Sequence, residues 1–275
     1  MSATANAPAT VAYTLRAALA FGRTGARQER ASIPAWFGRV VFYMVIVFIF
    51  SRLWEVVFAE RLLSDGRFSA AALVWYLALN EWATLSTPQI WMDIEADVRS
   101  GDIVHWLSRP IPYVVAKLAE ALGALFPRLA VMGAFGLGWA AILAGGLPPD
   151  TSGLLWALPI VVLASILQLL CLTIVGLTAL WLEEAGPVLW IWQKSNFLLG
   201  GLMIPLELYP TAIREIAWWT PFAPMLNGLG RLAFGGPAEQ LIETISALLF
   251  WSLAACLVLA WQFNRGVRAL EAGGG

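Results

Sequence analysis

Histidine is almost missing from this chain: His105 is the single one in 275 residues. A lone histidine cannot supply a histidine-based metal site. Cysteine is nearly as scarce. Cys171 and Cys256 both lie in apolar runs, so they read as core residues and not as a disulfide. Charge is sparse too, at 13% of residues against about 25% in a soluble domain. Net charge is −1, so no general basic surface points to nucleic acid. No GxxxxGK[ST] phosphate loop is present, which excludes ATP binding in the P-loop manner. A GxSxG elbow, an HExxH helix and paired intramembrane aspartates are absent as well, so none of the usual intramembrane hydrolases fits. No cleavable signal peptide is legible in the first 30 residues. What remains is apolar. Hydrophobic residues make up 60% of the chain and mean hydropathy is +0.74, the signature of a polytopic membrane protein.

The apolar runs predict six transmembrane helices. They cover about Trp36–Ala59, Phe68–Trp91, Tyr113–Ala144, Leu154–Trp181, Val188–Ile204 and Leu241–Phe263. Residues 11–30 precede them, with Arg16, Arg23, Arg27 and Arg30 beside Val11, Leu15, Ala18 and Leu19. That pattern predicts an amphipathic helix on the membrane surface, its arginines towards anionic headgroups; the alternative is a disordered basic arm. Trp36 and Trp54 read as interface anchors. Arg52 and Glu55 have the spacing of an i,i+3 pair. Pro127 and Arg128 interrupt the third run, giving either one kinked helix or a surface helix followed by a span. Asn80 and Glu81 fall near the middle of the second run. Polar groups at that depth must face protein or a water-filled cavity. They are candidates for a transport pathway or for a bond between helices.

The most charged stretch is Asp93–Pro110, DIEADVRSGDIVHWLSRP. Helical spacing puts Ile94 and Val98 on one face, and Val104 and Leu107 on a second short face. Ser100 is the expected N-cap of that second helix, with Asp102 in its first turn. Gly101 is the expected site of a positive φ at the bend. Pro110 and Pro112 stop it. Residues 93–110 therefore read as a bent pair of short helices, either a solvated loop or a lever gripped by a soluble partner. The arginine distribution decides which side they face. Arg99, Arg109, Lys117, Arg265, Arg268 and the N-terminal arginines lie on one side; Arg61, Arg67, Arg214 and Arg231 lie on the other. The first set is larger, which predicts that both termini and residues 93–110 are cytoplasmic.

The second informative stretch is Gly200–Pro237. It is too rich in proline for a straight span. Ile213, Ile216 and Ala217, then Met225, Leu229 and Leu232, predict two short helices broken at Thr220–Pro224. Trp218 and Trp219 suit the outer interface. Residues 205–236 read as a re-entrant hairpin capping the outer end of a pathway.

These two stretches carry a resemblance. The segment Asp97-Val98-Arg99-Ser100-Gly101-Asp102-Ile103 followed by Arg109-Pro110 resembles a D-I/V-R-S-G-D/N-I segment of bacterial ABC-2 type permeases, the type V exporter-like class. Gly201-Leu202-Met203-Ile204-Pro205-Leu206, Pro210 and Pro221-Phe222 resemble the segment that follows the fifth span in the same class. The resemblance spans nearly the whole chain, residues 1–275, as a single transmembrane domain. It implies an all-α polytopic fold: an amphipathic connecting helix at 11–30, six spans, a cytoplasmic coupling helix within 93–110 and the external re-entrant hairpin at 205–236. It implies the permease subunit of an ATP-driven exporter in the bacterial inner membrane, with no bond chemistry of its own. Its partners would be a separate ABC ATPase subunit and a second permease chain, in a homodimer or heterodimer. No cofactor is expected on this chain; ATP and Mg would bind the ATPase. In the docking groove Glu95, Asp97, Arg99 and Asp102 would fix register, Ile94, Val98 and Val104 would supply buried area, and Gly101 would set the bend. The cargo implied is hydrophobic, amphipathic, or glycan- or lipid-like. The rival class is a secondary, ion-coupled transporter with Glu81 as its intramembrane ion site. No inverted repeat between the halves supports it, and a large cytoplasmic segment would then lack a purpose.

Overall fold

A computed structural model describes residues 7–31, 33–60, 68–148, 151–235 and 238–273. Arg61, Arg67, the middle of the Gly145–Gly153 loop and the last residues of the expected hairpin lie outside these. All regular structure among the described residues is helical. Helix α1 is Ala7–Ala31 and α2 is Ile33–Ala59. Then come α3 (Ala70–Ser86), α4 (Ile90–Ser100), α5 (Asp102–Leu107) and α6 (Tyr113–Leu143). Next are α7 (Leu154–Leu177), α8 (Ala179–Leu182) and α9 (Gly186–Leu199). Short helices α10 (Thr211–Trp218), α11 (Phe222–Met225) and α12 (Asn227–Gly230) lead to the last, α13 (Ala238–Gly273).

Four helical stretches are long and apolar enough to cross a membrane: Ala35–Ala59, Tyr113–Leu143, Leu154–Leu182 and Ala238–Arg268. The other two expected spans are shorter than the apolar runs. Helix α3 has 17 residues and α9 has 14. At about 1.5 Å per residue they reach roughly 25 and 21 Å. The local reasons are visible. Thr87 precedes Pro88 and is pushed into extended backbone (ψ 123°), which ends α3 before Trp91. Gly201 takes φ +65°, which ends the run after α9 well before Ile204.

Helix α7 is the hub. It packs against α3, α4, α9, α11 and α13. Its apolar residues are buried almost all round, as befits a helix hydrophobic on every face. Helix α3 is equally buried, wedged among α2, α6, α7 and α12. By contrast α2 and α13 expose broad apolar faces, through Phe42, Ile49 and Val56 on one and Leu249, Leu253 and Leu257 on the other. Those faces have the character of lipid-facing surface.

Helix α6 is one continuous helix with Pro127 inside it. Helix α1 packs along α6, so residues 11–30 form a helix where the alternative reading had a disordered basic arm. Glycines allow the approach: a Cβ on Gly123 would sit 1.8 Å from the Gly22 carbonyl oxygen. Trp54 is a core residue and not an interface anchor; it is 4% exposed. Arg52 and Glu55 do pair, at 2.7 Å. Both cysteines are free thiols, Cys171 buried and Cys256 exposed on α13, so an apolar run did not mean a core position there.

Candidate functional site

The stretch Asp93–Pro110 folds as two short helices meeting at Gly101. Asp93 lies in the first turn of α4 and Arg99 in its last, each favourable to the helix dipole. Gly101 adopts φ +78°, and its N–H closes α4 on the Val98 carbonyl at 3.2 Å. This glycine, and not Ser100, occupies the cap position of α5. Ser100 sits one residue earlier because the left-handed turn needs a residue without Cβ at the junction. Its hydroxyl still accepts from the Asp102 N–H at 3.3 Å. Beyond α5, the Arg109 guanidinium lies 4.0 Å from the centre of the Trp106 ring.

The side chains of this bend divide into two sets. One set is turned into the molecule. Ile94 is fully buried against α7, where Gly176 admits it: a Cβ on that glycine would meet Ile94 Cβ at 3.0 Å. Glu95 accepts the Ala185 backbone N–H at 3.1 Å, placing a carboxylate at the N-terminus of α9. Asp97 accepts from the Tyr113 hydroxyl at 2.8 Å and pairs with Lys117 at 2.6 Å, both on α6. Val98 is half-buried against the core. The other set is turned outward: Arg99, Gly101, Asp102 and Val104 are exposed, with His105 and Arg109 beside them. Arg99 reaches back to Glu95 only at 3.6 Å. Of the eight residues named from sequence for partner contact, four are exposed at the tip and four tie the bend to the bundle.

Asn80 and Glu81 are both buried within the bundle. Asn80 Nδ2 donates to the Leu202 carbonyl at 3.1 Å. Beside it the Tyr76 hydroxyl donates to the Gly201 carbonyl and lies 3.0 Å from Asn227 Oδ1, which also accepts the Leu206 N–H at 3.0 Å. This knot of three polar side chains clamps the turn Gly200–Leu206 against α3 and α12. One turn further along α3, Thr84 opens onto a cavity of about 260 Å³ shared with Gln168 of α7 and Gln193, Lys194 and Asn196 of α9. Neither Asn80 nor Glu81 lines it. In the sequence, Lys194 and Asn196 stand out as polar residues within about two turns of the start of the fifth apolar run, where Lys194 reads as a snorkelling side chain. Gln168 and Gln193, which share the cavity with them, carry no charge to draw notice.

A second polar cluster went unread. Arg128 of α6 is buried and pairs with Glu29 of α1 at 2.6 Å; Arg39 of α2 takes the other carboxylate oxygen at 2.8 Å. The Trp36 indole N–H also donates to the Glu29 carbonyl, at 2.7 Å. The signal was Arg128 itself, since an arginine inside an apolar helix demands a partner. Among the described residues, no group of three or more His, Cys, Asp or Glu side chains is arranged to hold a metal ion.

Comparison with known protein families matches residues 42–274 to a family described as ABC-2 family transporter proteins. That range takes in every helix from within α2 to α13, the bend and the clamped turn included. The chain belongs to the ABC-2 family of transporter proteins. Among curated proteins none matches. Family membership makes this a membrane permease of an ABC transporter, and it implies work with an ABC ATPase subunit. Helix α1 lies outside the matched residues, although Phe21 on it sits 5.7 Å from the Trp106 ring of the ABC-2 bend.

Proposed function

We propose that this ABC-2 permease is the membrane half of an ATP-driven exporter in a bacterial inner membrane, with both termini and the α4–α5 bend on the cytoplasmic side. In this reading α2, α3, α6, α7, α9 and α13 provide six crossings, and residues 205–236 form an external re-entrant hairpin. The burial of α11 and α12 within the bundle supports that last assignment, because broken helix at membrane depth needs protein around it. Two permease chains and two separate ATPases make the working unit, with the pathway between the permeases. The cargo is hydrophobic, amphipathic, or glycan- or lipid-like.

The single observation that carries the reading is the division of side chains on the bend. Its tip is charged and exposed, while its base is bolted to three different helices. Glu95 holds the start of α9, Asp97 holds α6, and Ile94 sits against α7. A solvated loop has no use for such a base. A lever does: a push on Arg99 and Asp102 by an ATPase closing on ATP is passed to α6, α7 and α9 through the buried Ile94 and the half-buried carboxylates of Glu95 and Asp97. The permease itself makes and breaks no bonds.

The test is reconstitution. The permease is co-expressed with its ATPase subunit and placed in liposomes. The ATPase should co-purify, and its hydrolysis rate should rise when the permease is present. Failure to recover any ATPase, together with transport driven by an ion gradient alone, would replace this reading with a secondary transporter.

A further inference from the structure

Beside the Gly22–Gly123 contact, helices α1 and α6 leave an open groove of about 610 Å³. Its walls are apolar. Leu19 of α1 faces Leu122, Phe126 and Ala130 of α6, and Leu19 and Phe126 are more than half exposed. Its rim is basic, formed by Arg23 and Arg30. At 100° per residue, Arg16, Arg23, Arg27 and Arg30 fall within about 60° of arc on α1, directly beside the leucines. All four are exposed, and among the described residues no carboxylate lies within ion-pair distance of any of them. Unpaired cations beside an exposed apolar channel are a mismatch in water. They are a match for one kind of molecule.

We infer that the α1–α6 groove is a binding site for an anionic phospholipid, with an acyl chain along Leu19, Leu122, Phe126 and Ala130 and the phosphate held between Arg23 and Arg30. Charge complementarity selects an anionic over a zwitterionic headgroup, and the apolar length selects a lipid over a free phosphate. The Phe21–Trp106 contact puts this groove at the same end of the molecule as the α4–α5 bend. A bound lipid would therefore bridge α1 to the helix that continues from that bend. The inference does not depend on the ATPase reading.

The test is native mass spectrometry of the full chain in detergent, titrated with phosphatidylglycerol or phosphatidylcholine of identical chains. Phosphatidylglycerol should bind at least about fivefold more tightly. Each groove arginine is worth roughly fivefold, so Arg23→Ala with Arg30→Ala should weaken it about 25-fold. Arg27→Ala, on the same stripe but off the groove lining, should cost less than either single groove variant. Ala130→Trp, a change at an exposed position, should block the channel and weaken both lipids. Equal binding of the two lipids by the parent would overturn the site. So would an Arg27→Ala loss equal to that of the double variant, which would mean general surface attraction. Displacement of phosphatidylglycerol by millimolar inorganic phosphate would reassign the groove to a free anion.

Discussion

Glu29 is one carboxylate shared by two guanidiniums, one of them buried. Burial alone would raise its pKa; the hydrogen bonds and charges of Arg128 and Arg39 outweigh that and hold it below the usual carboxylate range. Removing it strands Arg128 without an anion inside the protein, which typically costs about 3–5 kcal/mol. Glu29→Gln should therefore lower the thermal midpoint in detergent by at least about 6 °C. The sign of the pH effect follows from the depressed value. The pairing stabilises the fold fully above the unfolded pKa of about 4.3 and is lost as pH falls through the lower, folded one. Between pH 6 and pH 3 the parent should lose stability that the Glu29→Gln variant has already lost. A variant as stable as the parent, with the same acid profile, would show that the cluster is idle. At this scale the sequence spoke unevenly. Charges at improbable depth, Glu81 and Arg128, announced themselves. Their partners did not, because Glu29 lies 99 positions from Arg128 and only the packing of α1 on α6 joins them.

At the scale of elements, the apolar runs located the helices and missed their ends. Pro88 and Gly201 cut α3 and α9 short of their hydrophobic stretches, since an apolar residue stays apolar whether it sits in a helix or in the turn after it. The bend was the most legible feature. Gly101 between two amphipathic patterns could be read directly, because only glycine takes φ +78° without cost. Which of its faces points inward was not legible, because that depends on Gly176, Ala185 and Tyr113, all distant in sequence. The 31 residues of α6 place the bend and the following loop about 46 Å apart, enough to lie on opposite sides of a bilayer. In a Cys256→Ser background, cysteines at Ser100 and Ser108 should resist an impermeant maleimide in intact cells and react after lysis. A cysteine at the exposed Thr151 should react in intact cells. Labelling of Ser100→Cys from outside would invert the layout.

For the molecule as a whole, the permease is a buried pair, α3 and α7, flanked by helices whose outer faces stay apolar. The tip of the α4–α5 bend is a charged, exposed projection. The central claim is that this tip is gripped by the ATPase. Breaking one side of a desolvated charge pair costs about 2–5 kcal/mol, roughly thirtyfold or more in affinity, whereas a solvent-exposed charge costs less than about 1 kcal/mol. Gly101→Val tests the bend separately: a Cβ there meets no neighbouring atom, so its only effect is on the left-handed backbone. The decisive measurement is recovery of the ATPase on the tagged permease, with ATP hydrolysis by the complex, for Arg99→Glu, Asp102→Lys and Gly101→Val. The account predicts that the two charge reversals lose the ATPase by about thirtyfold or more and that Gly101→Val uncouples hydrolysis, with all three permeases still inserted and stable. Three variants that bind and hydrolyse like the parent would contradict it, and the bend would be a solvated loop.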